Sequence, residues 1–215
     1  MKEQINVLIA DDHKIFRNGF KLIFSRNERI RVIGEAANGI EVVQLAAKIK
    51  PDVILMDIQM PIMDGIEATK ALKKSKSKIP VIALSTYDEN IQIKTMIKAG
   101  AKGYLLKHAD DAEVEYAIEE VLKGYHYYSD SIAERIGYIT SFISPDPITL
   151  GGIKFKENEI KVMRLMCEEY SSKQIAAEMK LMPKTIDWYR EVIKKKIGSR
   201  TTAGVIVFAT KNKIF

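Results

Sequence analysis

The stretch "VILMDIQMPIMDG", residues 53–65, decides the fold. Four apolar residues fit for a buried strand end on a carboxylate, Asp57, and the turn that follows is fixed by Pro61 and Gly65. In an open α/β sheet, ligands collect outside the carboxyl ends of the strands, so an acid at such an end marks a candidate site. Working outward, short apolar runs of the same kind recur: "INVLIA", "RVIGEA", "PVIALS" and "KGYLLK". Their spacing of roughly 22 to 28 residues is what a strand, loop, helix and loop consume in a parallel sheet. Asn38-Gly39 and Asp64-Gly65 open helices, Pro51 and Pro80 precede strands, and Asp110 with Glu113 resembles a capping pair.

Near-continuous apolar strands imply helices on both faces of the sheet. The strand ends then carry Asp11 and Asp12, Asp57, Ser85 and Lys107 into one crevice. Three carboxylates in one place repel one another unless a cation joins them. Oxygen donors without His or Cys favour a hard ion, which points to Mg²⁺ over zinc. Asp57 can then act as a nucleophile towards a phosphoryl group, with Lys107 offsetting charge on its oxygens and Ser85 donating a hydrogen bond.

The chain has 215 residues, long for one compact domain and comfortable for two. Its 47% hydrophobic and 29% charged residues describe a soluble protein. No segment approaches the ~18 consecutive apolar residues of a membrane helix. The N-terminus reads as a first strand and not a signal peptide, so the mature chain is expected to begin there. The single cysteine, Cys167, permits no internal disulfide and sits in a helical apolar stripe, in keeping with a reducing, cytoplasmic location. The net charge of +6 is uneven: residues 152–215 hold 14 Lys+Arg against 7 Asp+Glu, and the rest of the chain is close to neutral. An anionic partner, nucleic acid, is expected at the C-terminal end.

Residues 4–124 resemble the receiver domain of two-component response regulators, through "ADD", "MDIQMPIMDG", "LST" and "GYLLK" in that order. The resemblance implies a flavodoxin-like, doubly wound parallel sheet of five strands in the order 2-1-3-4-5. It implies that Asp57 accepts the phosphoryl group, Asp12 binds Mg²⁺ directly, Asp11 helps through water, and the backbone carbonyl of Gln59 completes the shell. Lys107 would pair with the phosphoryl group, Ser85 would move toward it, and Tyr104 would rotate inward behind it. Thr86, Gln59 and Tyr87 are expected to influence water access. His13 and His108 flank the pocket and are read as surface or packing residues. Phosphatases of the haloacid dehalogenase type also place an Asp after a parallel strand, but they need a second acid two residues on, where this chain has Gln59. A switch and not an enzyme is expected.

From Glu157 the pattern is wholly helical. "SSKQIAAEM" starts on a good N-cap, and "PKTIDWYREVIKKKIG" has Pro at its entry and Gly198 at its exit, together a helix-turn-helix. Ile186, Ile193 and Ile197 form one apolar face, leaving Lys184, Asp187, Trp188, Glu191, Lys194 and Lys195 to meet DNA. One of Lys194, Lys195 and Lys196 can instead cap the helix C-terminus. The last 60 residues resemble the LuxR-type helix-turn-helix that follows receivers in the NarL/FixJ family. Matches include "KQIAAEM", Thr185-Ile186, Arg190 and Lys196-Ile197-Gly198. Lys173, Thr185 and Arg190 join the expected DNA-binding set. The resemblance places Asp187, Trp188 and Glu191 toward the major groove, where two acids are unusual. The expected layout is a receiver at 1–125, a linker at 126–150 with a short helix around Ser131–Phe142, and a small all-α helix-turn-helix domain at 151–215. Expected partners are a sensor histidine kinase as phosphodonor, double-stranded DNA, and a second copy of the chain after phosphorylation, with no membrane. The competing expectation is a receiver-controlled interaction or dimerisation module.

Overall fold

The computed structural model describes residues 4–86, 90–129, 132 and 147–214. The chain divides into two compact units, Met1–Ser129 and Asp130–Phe215. The expected helix around Ser131–Phe142, apart from Ile132, lies outside the described residues, as does Tyr87.

In the first unit strands and helices alternate: β1 (Ile5–Ala10), α1 (Lys14–Ser25), β2 (Ile30–Ala36), α2 (Gly39–Ile49), β3 (Val53–Asp57), α3 (Gly65–Lys74), β4 (Val81–Ser85), α4 (Asn90–Ala99), β5 (Gly103–Leu106), α5 (Asp111–Leu122) and β6 (Tyr127–Tyr128). All pairings are parallel, in the order β2-β1-β3-β4-β5-β6. Every residue of β3, β4 and β5 is buried, because helices cover both faces of the sheet and leave no side of these strands to water. One face meets Phe20, Phe24, Val114 and Ile118 in a continuous core.

The expectation of five strands is corrected to six. Gly103 and Tyr104 of β5 pair with Tyr127 and Tyr128, and Ser129 N donates to Tyr104 O at 3.1 Å. Backbone groups along the edge of β5 thereby find partners. The order of the first five strands is as read from the sequence.

Capping decides where the helices that frame the crevice begin. Asn38 accepts from Glu41 N, and Asp64 forms a capping box with Glu67. Asp110 accepts from Glu113 N at 2.8 Å.

In the second unit, β7 (Ile148–Leu150) and β8 (Ile153–Phe155) form a small antiparallel hairpin. Gly151 and Gly152 make its turn at φ +55 and +78, a conformation that favours glycine. The helices are α6 (Glu157–Cys167), α7 (Ser172–Met179), α8 (Pro183–Ile197) and α9 (Thr202–Lys211). Ser171 caps α7, while Met182 gives α8 no side-chain cap and leaves Pro183 as its first residue. Phe155, Val162, Ile175, Ile186, Ile193 and Val205 meet in its core.

Candidate functional site

The sheet brings Asp11, Asp57, Ser85 and Lys107 to one edge because each follows or ends a neighbouring strand. Lys107 ties them together. Its Nζ lies 2.7 Å from Asp11 Oδ2 and 2.9 Å from Asp57 Oδ2, and its backbone N donates to Ser85 O at 2.7 Å. The three charged side chains are 6% or less exposed, so little water screens them. The ring of Phe16 lies 4.5 Å below the ammonium, and Arg17 Nη1 donates to Asp11 O at 2.7 Å. Neither α1 residue was singled out from the sequence, although both lie within one or two turns of the paired acids.

Burial pushes the Asp57 carboxyl above its usual range, outweighing the hydrogen bond from Lys107, which pulls it down; the charge of Asp11 pushes it further up. Burial would lower Lys107, but its bonds to Asp11 and Asp57 hold it above the usual lysine value. The ammonium is thus buried between the carboxyl groups of Asp11 and Asp57.

Asp12 is the outward member of the cluster, 32% exposed, with His13 Nδ1 2.8 Å from its Oδ1. Asp11, Asp12, His13 and Asp57 each bring one ligand atom within 4.8 Å of the others, close enough to hold a metal ion. His13 is a surface residue, as expected, with its ring 60% exposed, and its Nδ1 lies against the cluster. Gln59 N donates to Asp57 Oδ1 at 3.3 Å, which places its peptide beside the carboxylate. Gln59, Thr86 and His108 are exposed.

The turn after Asp57 is held from several sides. Gly65 N donates to Ile58 O at 2.9 Å, and Gly39 N donates to Met63 O at 2.8 Å. Met63 N reaches Pro61 O at 2.8 Å across Ile62, which takes φ +70 although it is β-branched and 79% exposed. Behind the pocket Tyr104 is fully buried, turned into the unit and not toward solvent.

In the second unit, α7 and α8 stand as a helix-turn-helix. Lys173, Lys184, Asp187, Glu191 and Lys195 are exposed, with Trp188, Arg190 and Lys194 partly so. Thr185 is corrected out of this set: its side chain is fully buried, because it shares a face of α8 with Tyr189 and Ile193. Both unusual acids have partners. Ser172 Oγ donates to Asp187 Oδ1 at 2.7 Å, and Lys194 pairs with Glu191. Lys196 turns the other way, to Glu159 Oε2 at 2.6 Å and Lys154 O at 3.1 Å, so it belongs to the packing of this unit.

Comparison with known proteins accords with both units. Residues 7–119 match the family model of the response regulator receiver domain, and residues 156–209 match that of bacterial regulatory proteins, luxR family. The chain is 29% identical over 220 residues to the oxygen regulatory protein NreC of Staphylococcus aureus, covering 98% of this chain and 99% of that one. It is similar to the crystal structure of a LuxR-family two-component response regulator from Aurantimonas sp. SI85-9A1, at 30% identity and TM-score 0.60, over 63% of this chain and 96% of that one. It is also similar to the response regulator ChrA of a heme-sensing two-component system, at 28% identity and TM-score 0.55, over the whole of both chains. No described helix is long and apolar enough to cross a membrane. With a receiver model covering more than half the sequence and a LuxR-type model following it, the chain belongs to the NarL/FixJ family of response regulators, phosphorylation-controlled DNA-binding regulators of transcription.

Proposed function

We propose that Asp57 is the phosphoacceptor of this regulator and that a histidine kinase supplies the phosphoryl group. The observation that carries this reading is Lys107, buried between Asp11 and Asp57 at the carboxyl edge of the sheet. A carboxylate oxygen of Asp57 bonds to phosphorus as the bond from phosphorus to the donor imidazole nitrogen breaks, and that electron pair returns to the imidazole. Lys107 offsets the charge on the transferring oxygens, and the Ser85 hydroxyl donates to the acquired phosphoryl group.

Three of the four clustered side chains, Asp11, Asp12 and Asp57, offer carboxylate oxygens, and the Gln59 peptide lies beside Asp57, a donor set that suits Mg²⁺. Asp11, Asp12 and Asp57, with the carbonyl of Gln59, would hold it. When bound, the ion supplies further neutralisation of phosphoryl charge. Phosphorylation draws Ser85 inward, and the buried Tyr104 behind it holds the altered arrangement. The expected bounds of 1–125, 126–150 and 151–215 move inward: we assign the receiver up to Ser129, so that it includes β6, and the DNA-binding domain from Ile148, so that it includes the whole hairpin, with the linker between them and the protein working in the cytoplasm. Lys173, Lys184, Lys194 and Lys195 grip phosphates, Asp187, Trp188 and Glu191 lie toward the base edges, and Arg190 supports that surface from behind. A symmetric homodimer formed on phosphorylation would read two half-sites.

Treatment of the full chain with acetyl phosphate and Mg²⁺ tests the first half of this reading. Mass analysis should find one added phosphoryl group on the peptide containing Asp57 and none in Asp57→Asn. Modification elsewhere, or none at all, removes the reading. For the second half, affinity for duplex DNA should fall linearly on a log–log plot against salt, by about 0.9 per phosphate contact. A flat dependence would favour a protein-interaction module.

A further inference from the structure

We propose that Asp187 reads a cytosine in the major groove, and that Ser172 and Arg190 are positioning residues that hold its carboxylate for that contact, an inference resting on the DNA-binding reading of α8. Asp187 is exposed on the same stripe of α8 as Lys184 and Glu191, three and four residues away. Unlike an ordinary surface acid it is held in place. Ser172, at the start of α7, donates its only hydroxyl proton to Asp187 Oδ1 at 2.7 Å. Arg190 Nη1 donates to that same hydroxyl oxygen at 2.7 Å, and Nη2 donates to Thr202 Oγ1, at the start of α9, at 3.2 Å. Three helices thus fix one carboxylate. The guanidinium behind Ser172 also supplies the positive charge that offsets repulsion between Asp187 and DNA phosphates.

A carboxylate has no proton to donate and only accepts hydrogen bonds. Guanine presents two acceptors in the major groove, thymine an acceptor and a methyl group, and adenine a donor beside an acceptor. Cytosine presents the N4 amine alone. A fixed acceptor therefore favours cytosine: adenine offers its donor only beside an acceptor, and guanine and thymine offer no donor at all. Glu191 discriminates less, because Lys194 beside it puts a donor and an acceptor together.

The test is selection of binding sites from randomised duplex DNA by the full chain after treatment with acetyl phosphate. The wild-type protein should favour cytosine about tenfold at one position of each half-site. Asp187→Ala should lose that preference and keep the rest of the site. Asp187→Asn should move it to adenine, whose N6 and N7 match an amide. Ser172→Ala should weaken the cytosine preference, and Ser172→Thr, which retains the hydroxyl, should restore it. Identical selected sites for wild-type protein and Asp187→Ala would overturn the assignment while leaving DNA binding intact. If the wild-type chain retained no duplex at all, the DNA-binding reading of α8 would fall with it.

Discussion

A side-chain carbon placed on Gly65 would stand 2.1 Å from the carbonyl oxygen of Asp57. The first turn of α3 therefore rests directly against the peptide that carries the acid, and only a hydrogen fits between them. Gly65→Ala must push this backbone apart, with a loss of about 3 kcal/mol or more in chemical denaturation. Its acceptance of a phosphoryl group from acetyl phosphate should fall in parallel, because Asp57 is displaced from Lys107.

Asp57→Asn should make the first unit more stable at neutral pH. The folded carboxyl has a raised pKa, chiefly through burial, so its ionisation costs the fold stability as pH rises through the folded value. Below the unfolded value of about 3.8 the group is neutral in both states and the cost is absent. The gain from the amide should thus be largest at neutral pH and shrink as pH falls through the folded pKa. Lys107 keeps Asp11 as a partner in the variant. Denaturation midpoints of both proteins across this range check the sign.

Lys107→Ala should act in the opposite direction. It leaves Asp11 and Asp57 as two buried acids without their shared cation, a loss of about 3 kcal/mol at neutral pH. The Asp57 carboxyl should titrate still higher, because the lysine's hydrogen bond and charge now hold it down. Carboxyl titration by NMR separates this from general unfolding.

Ile62→Asn should stabilise the chain by about 1 kcal/mol, since asparagine tolerates positive φ and the exposed isoleucine side chain buries little. An unchanged or lowered denaturation midpoint would show that the isoleucine makes a contribution beyond its backbone.

Lys196→Ala should destabilise the second unit by about 2 kcal/mol, because Glu159, 4% exposed, loses its charged partner. The slope of DNA affinity against salt should stay the same, whereas Lys195→Ala should reduce it by about one phosphate contact.

The strands were legible because burial on both faces writes them as short apolar runs, and the edge site because strand ends in one parallel sheet share an address. β6 was not legible: two tyrosines are too few to show a period, and their pairing depends on the edge of β5. The hairpin before α6 is equally brief, although Gly151-Gly152 between "ITL" and "IKF" is a turn signal. The burial of Thr185 could have been read from its spacing of four to Tyr189 and eight to Ile193. The bond from Ser172 to Asp187 could not, because it joins residues on different helices whose meeting depends on packing. Nor did spacing reveal that Lys107 would reach Asp11 as well as Asp57.

The sixth strand also seals the margin of the sheet. The backbone of Tyr127–Ser129 is stitched to β5 beside Tyr104, three residues before the lysine that lies between the two acids. Were Tyr127–Ser129 cut away, the carbonyl oxygens of Lys102 and Tyr104 would be left to water along an open sheet margin.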